Sequence, residues 1–234
     1  MHYHLRDHIY IAQFQDELII LDTKQDKYTV CFQKFSESLV DLLEGKLSFS
    51  EEKLFLSKLI DESIIEKKST PYPFYIDKKI DSDGVSNVDW SLPLENKKVS
   101  LNSSVLRAFL TLLKVNFYIK VRGFYSTIRV IKKSCKSQSI YIVPQDEELR
   151  DLANIVNKAC LIYPIRTKCL EWAMTFILLA LKKKWKCNLE IGIQNYPFMA
   201  HAWVECDGKV VMDSQDLREG LAIILNEPFR KLTI

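Results

Sequence analysis

The run KCLEWAMTFILLALKKKW, from Lys168 to Trp185, leaves the chain few choices of fold. Leu170, Ala173, Phe176, Ile177, Ala180 and Leu181 recur at helical spacing and lysines crowd the last turn, so the run predicts a helix with Cys169 in its first turn. Downstream, CNLEIGIQ, AHAWVEC and KVVMD read as three strands, and Asp207-Gly208 between the last two is a hairpin signal. One buried helix packed on an antiparallel sheet is the plan these segments dictate.

Three side chains on those elements can do chemistry. At the head of a helix, free N–H groups and the helix dipole favour the Cys169 thiolate, the nucleophilic form, and the same N–H groups can hold an oxyanion. Of four histidines, three lie in the first eight residues, so His201 alone is available to a site built from the rest. Asp213 ends the third strand. A two-residue turn at Asp207-Gly208 would leave His201 and Asp213 on opposite faces of the hairpin. A three-residue loop, Cys206-Asp207-Gly208, pairs Glu205 with Lys209, sets Trp203 beside Val211 and brings Asp213 opposite His201, with positive φ at Gly208. That register is expected, with Cys169 as nucleophile, His201 as base then acid, and Asp213 orienting the imidazole. The plainer alternative is a buried cysteine, a strand histidine and a turn-forming aspartate.

The order of cysteine on a helix, histidine on a strand and aspartate on the next strand resembles the transglutaminase-like cysteine hydrolases. The wording IGIQNYPFMAHAWVECDGKVVMD, with Cys169-Leu170 upstream, is similar to the maturation protease of lasso peptides, the B protein. Pro197-Phe198 shortly before His201-Ala202-Trp203-Val204-Glu205, then Asp207-Gly208, carry the likeness.

Composition narrows the class further. Of 234 residues, 47% are hydrophobic and 27% charged, as in folded globular proteins. A net charge of +3 neither requires nor excludes a polyanion. Six cysteines, Cys31, Cys135, Cys160, Cys169, Cys187 and Cys206, include no CxxC pair, which argues against a zinc site. No signal-like core follows the amino terminus, so free thiols in the cytoplasm are expected, and an oxidised Cys160–Cys187 pair has no support. Leu101 to Val121 is apolar on most faces, but Arg107, Lys114, Asn116 and Lys120 interrupt it, which suits a buried or interface helix and not a stably inserted span.

The amino-terminal part reads as strands at 9–13, 17–22 and 27–32. A helix carrying Phe35, Leu39, Leu42 and Leu43 follows and ends at Gly45. A second helix, capped by Ser48 or Ser50, runs through Ile60, and a short third covers 63–67. This is a winged-helix-like plan, and ELIILDTKQDKYTVCFQKFSESLVDLLEG resembles the PqqD-like module that recognises leaders of ribosomally made, modified peptides. The resemblance implies that a leader adds as a strand to the edge of the sheet, with Tyr28, Val30 and Phe32 as candidate contacts beside plain core roles. FSEEKLFLSKLIDESIIEKK balances acids against bases, which makes DNA readout the weaker alternative and argues against a nucleic-acid partner. Residues 69–98 gather prolines and polar residues and read as an extended linker, with Phe74, Tyr75 and Trp90 as docking points. Helices broken near Gly123 and another from Asp146 to Cys160 should cover the catalytic helix, and the apolar loop with Phe198 can line a substrate cleft.

The expected protein is α+β. A winged-helix-like (PqqD-like) leader-recognition domain spans 1–68, a linker 69–98, and a transglutaminase-like (papain-like) cysteine protease domain 99–234. The resemblance implies a lasso precursor as substrate, cut at the leader–core junction, and an asparagine-synthetase-like cyclase as partner. The hydrolysis needs no cofactor or metal, and any ATP dependence would enter through that cyclase. Two alternatives stay open: a non-catalytic chaperone presenting the precursor, and another acyl transfer, such as amide exchange or deamidation, on the same triad.

Overall fold

The computed structural model describes residues 2–46, 53–86, 90–93, 102–136 and 138–233. Its amino-terminal part holds β1 (His2–Leu5), β2 (Ile9–Phe14), β3 (Glu17–Asp22), β4 (Lys27–Cys31), α1 (Gln33–Glu44), α2 (Lys53–Asp61) and β5 (Ile65–Lys68). β2, β3 and β4 form an antiparallel meander, Ile9 opposite Asp22 and Leu18 opposite Cys31, with β4 at its edge. Helix α1 buries Leu39, Val40, Leu42 and Leu43 and ends at Gly45, whose φ of 72° suits a residue without Cβ. Ser36, also buried, accepts the Leu18 N–H at 2.9 Å and donates to the Cys31 carbonyl, tying helix to sheet. The expected caps Ser48 and Ser50 lie outside the described residues.

The short third helix expected at 63–67 is instead strand β5, paired antiparallel with β1 from Leu5–Ile65 to His2–Lys68. Ser63, at φ 58°, turns the chain out of α2, and a partner strand sixty residues away supplies the ladder. Those main-chain bonds prevail over the helical reading of the local sequence.

Both faces of the meander are covered. Ile9, Ile11, Leu18 and Ile20 face α1 and α2, whereas Tyr10, Ala12, Phe14, Ile19 and Leu21 face the carboxy-terminal half and join its core. The near-continuous apolar lettering of IYIAQF and ELIILD follows from this two-sided burial. Residues 69–86 run extended, and they are bonded to both halves along the way. β6 (Lys78–Lys79) pairs parallel with β2, the Tyr75 N–H donates to Lys231 O, Asp77 accepts from the Ile223 N–H, and Ser82 donates to Gly220 O.

The second half comprises α3 (Ser103–Phe117), a π turn (Tyr118–Arg122), α4 (Gly123–Ser134), α5 (Asp146–Ile162), α6 (Cys169–Lys182), β7 (Asn188–Gln194), β8 (Met199–Cys206), β9 (Lys209–Val210), α7 (Asp216–Gly220) and β10 (Ala222–Glu227). Asn102 caps α3 by accepting the Ser104 and Val105 N–H groups at 3.0 Å, and Gly123, at φ 77°, marks the break between helices. The sheet is antiparallel in the order β10-β7-β8-β9. Helix α6 is its centrepiece: every residue from Trp172 to Leu181 is buried, packed between α3, α4 and α5 and the sheet face of Leu189, Ile191, Ala202 and Val204. Burial on all sides explains a helix that is apolar all round.

Candidate functional site

Cys169 is the first residue of α6, after Lys168 in extended conformation, whose N–H donates to the Glu171 carboxylate at 3.1 Å. That bond fixes where the helix begins, and so places the sulfur at its head. β8 approaches the same point. One of its edges pairs with β7, whereas the other meets β9 only at Glu205 and Cys206. Val204 uses that second edge to accept the Val211 N–H. Two residues back along the strand, Ala202 presents its amide to the same edge, now free of β9. The Cys169 sulfur takes this place, where the His201 ring and the Ala202 and Leu170 amides all act on it.

The turn differs from expectation. Cys206 pairs with Lys209 and Glu205 with Val210, so the loop is the two-residue Asp207-Gly208 turn, with φ of 49° and 84°. Positive φ at Gly208 is as expected, but positive φ at both central residues makes a type I′ turn, which matches strand twist better than the three-residue alternative. Trp203 accordingly packs with Val210, not Val211. Continued regularly, this register would turn Asp213 away from His201. Instead β9 stops at Val210, and Met212 adopts φ 57°, a conformation costly for a residue with a side chain. The reversal delivers the Asp213 carboxylate to His201, with Oδ2 2.8 Å from Nε2. Asp213 Oδ1 accepts the Ser214 N–H at 2.9 Å, which fixes the carboxylate in turn. With Nε2 engaged, Nδ1 is the ring nitrogen left for the thiol.

Electrostatics follow from this arrangement. His201 is 3% exposed, and burial alone would lower its pKa. Hydrogen bonds and charge from Asp213 and Cys169 outweigh burial and raise it to about 9. Burial likewise pushes the Cys169 thiol up, and His201 with the Ala202 and Leu170 amides brings it below its usual value. Both shifts favour the thiolate and imidazolium over the neutral pair.

Of the substrate candidates, Tyr28 and Phe198 come together. Their rings meet edge to face at 5.3 Å, and burial, then Asp26, then Cys169 push the Tyr28 phenol to about 12. Tyr28 thus sets the edge strand of the amino-terminal sheet within electrostatic reach of the sulfur. Val30 and Phe32 lie further along that edge, 38% and 83% exposed, with no contact to the triad in evidence.

Sequence reasoning missed several supports. Trp203 stacks on His201 at 6.0 Å and 27°, and its indole N–H donates to the buried Glu190 at 3.0 Å. Gly192, opposite His201, makes room for this: a Cβ there would collide with the Trp203 ring and lie 2.8 Å from Leu221 Cβ. Glu190 is also held by Arg218 and Asn226, from α7 and β10, and burial still raises its pKa to about 7. Strand periodicity could have flagged Trp203, two residues from His201 on one face. Cys187 lies next to Cys206 and not Cys160, and all six cysteines are free thiols. Among the described residues no group of histidine, cysteine, aspartate and glutamate could hold a metal ion, and no helix is long and apolar enough to cross a membrane.

Residues 111–226, which contain all three clustered side chains, match the Transglutaminase-like superfamily. The microcin J25-processing protein McjB of Escherichia coli is 25% identical over 207 residues, covering 83% of this chain and 97% of that protein. No solved structure matches. The chain thus carries a transglutaminase-like domain and, as the likeness of its wording to the lasso-peptide B proteins implied, is related over most of its length to a peptide-processing protein.

Proposed function

We propose that the protein is a cysteine peptidase of lasso-peptide maturation, which binds a precursor's leader and hydrolyses the leader–core bond. The observation that supports this best is the meeting of the Cys169 sulfur, His201 and Asp213 at the head of a buried helix. The Cys169 thiolate attacks the junction carbonyl, and amides at the helix head stabilise the oxyanion. His201, a cation at rest, gives its proton to the departing amine of the core, leaving the leader as a thioester on Cys169. Water, deprotonated by His201, then releases the leader as a carboxylate and restores the thiol pair. The freed α-amine is what an asparagine-synthetase-like cyclase would join to a core carboxylate, and any ATP requirement belongs to that partner.

Residues 1–68 act as a PqqD-like leader-recognition module and 99–234 as the peptidase, working in the cytoplasm. The leader adds to the open edge of β4, past Phe32 and Val30, towards Tyr28 and Phe198 beside the sulfur. Holding the leader on the same chain raises its local concentration, so the cleft itself can bind weakly.

The test is a comparison of wild type with Cys169→Ala on the precursor peptide. Leader binding should persist in the variant while cleavage stops. Cleavage by the variant would sink the nucleophile assignment, and a change of mass without a cut would mark amide exchange or deamidation.

A further inference from the structure

From residue 99 to residue 145 the sequence holds eight lysines and arginines and no aspartate or glutamate. Helix α3 lies in this stretch. Its inner face, Val105, Ala108, Leu112 and Val115, is at most 1% exposed and packs on α5 and α6. Its outer face should be polar by the ordinary amphipathic rule. It is not. Leu106, Leu110, Leu113 and Phe117 follow one another at helical spacing on the side away from the core, 59%, 57%, 40% and 56% exposed, and Val121 in the π turn is 61% exposed.

The apolar surface extends sideways. Phe109 on the flank of α3 packs against Tyr163 at 6.2 Å, and beyond it Leu161, Ile162 and Ile165 at the end of α5 are each about half exposed. Arg107, Lys114, Lys120 and Arg122, all exposed, border the stripe, and none is paired with a carboxylate among the described residues.

The chemistry of this face selects its occupant. Contact surfaces between proteins deplete lysine along with aspartate and glutamate. A leucine and phenylalanine stripe bordered, among the described residues, by Arg107, Lys114, Lys120 and Arg122, on a helix lying along the surface, is the pattern that seats at a lipid headgroup boundary. At fifteen residues α3 is about 22 Å long, short of the roughly 30 Å hydrocarbon core, so it would lie flat and not cross.

We propose that α3 and the π turn form a docking face for an anionic lipid bilayer. Leu106, Leu110, Leu113 and Phe117 enter the headgroup–acyl boundary, and Arg107, Lys114, Lys120 and Arg122 meet the headgroups. The face is independent of the peptidase reading, because no triad residue contributes to it.

The test is co-sedimentation of the full chain with vesicles of phosphatidylethanolamine and phosphatidylglycerol, and with vesicles of phosphatidylcholine alone, at low and high salt. The protein should bind the anionic vesicles, bind the zwitterionic ones far less, and release in salt. Lys114→Gln and Lys120→Gln should each weaken binding about fivefold. Leu110→Glu with Phe117→Glu should abolish it, while circular dichroism and the rate of Cys169 alkylation stay those of the wild type. Failure to bind anionic vesicles, equal binding to both kinds, or undiminished binding by the variants would each overturn the proposal. Loss, in the Leu110 and Phe117 variant, of association with another protein, when the wild type ignores vesicles, would reassign the face to a protein partner.

Discussion

Replacing Asp213 separates charge from geometry at the centre of the site. Holding the His201 imidazole at about 9 instead of 6.5 stabilises the imidazolium by about 3.4 kcal/mol, at about 1.36 kcal/mol for each pKa unit. Asp213 comes first among the groups that hold it there. If it supplies half of that energy, Asp213→Asn shifts the thiolate–imidazolium equilibrium by about 1.7 kcal/mol, or roughly 20-fold. The asparagine oxygen can still accept from Nε2, so the ring keeps its orientation. Asp213→Ala loses both, and cleavage should fall on the order of 1000-fold. The assay is alkylation of Cys169 by iodoacetamide, followed site by site by mass spectrometry between pH 5 and pH 10 (about the working range of the imidazole), alongside precursor cleavage. At neutral pH the asparagine variant should react about tenfold more slowly. Equal alkylation rates and pH profiles in wild type and both variants would refute the coupling.

The same pair makes a stability prediction. His201 has a folded pKa above its unfolded one, so its contribution is fully present below about 6.5 and is lost as pH rises through about 9. The difference in unfolding midpoint between wild type and Asp213→Asn should therefore be largest at the acid side of that window and close beyond its alkaline side. A difference that grows with pH would contradict the assigned sign. Gly192→Ala should cost about 1–3 kcal/mol by overpacking Trp203, and should slow cleavage by displacing His201 across the ladder; thermal unfolding and single-turnover rates check it. Met212→Val puts a β-branched residue at φ 57°, and cleavage should drop sharply while circular dichroism shows the fold retained. Tyr28→Ala should raise KM for the precursor while Cys169 alkylation by a small reagent is not slowed, because the ring wall beside the sulfur is removed and the triad is not.

The parts of this protein written locally were legible. The apolar all-round lettering of residues 170–181 and the position of Cys169 at its start mark the head of α6, Gly123 marks the break before α4, and Gly45 ends α1. Three strands of the meander follow from β-rich runs between polar turns. What escaped is non-local. β5 takes its character from pairing with β1, at the other end of the first 68 residues, and buried Glu190 draws its partners Arg218 and Asn226 from α7 and β10, nearly thirty or more residues away. The hairpin shows the limit most clearly. Its turn chemistry points to Asp207-Gly208, yet a strictly alternating strand then separates His201 from Asp213, and only the left-handed Met212 reunites them. Nothing in the residue type announces that conformation. The site closes not in the turn but at Met212, four residues beyond Gly208.

The central claim is that the leader passes through a thioester on Cys169. Wild-type protein mixed with precursor, quenched in acid within the first turnover and weighed intact, should carry the mass of the leader less one water, mapped to the peptide containing Cys169. The free core should appear at the same time. An adduct on another cysteine, or release of the core by Cys169→Ala at the wild-type rate, would contradict the account.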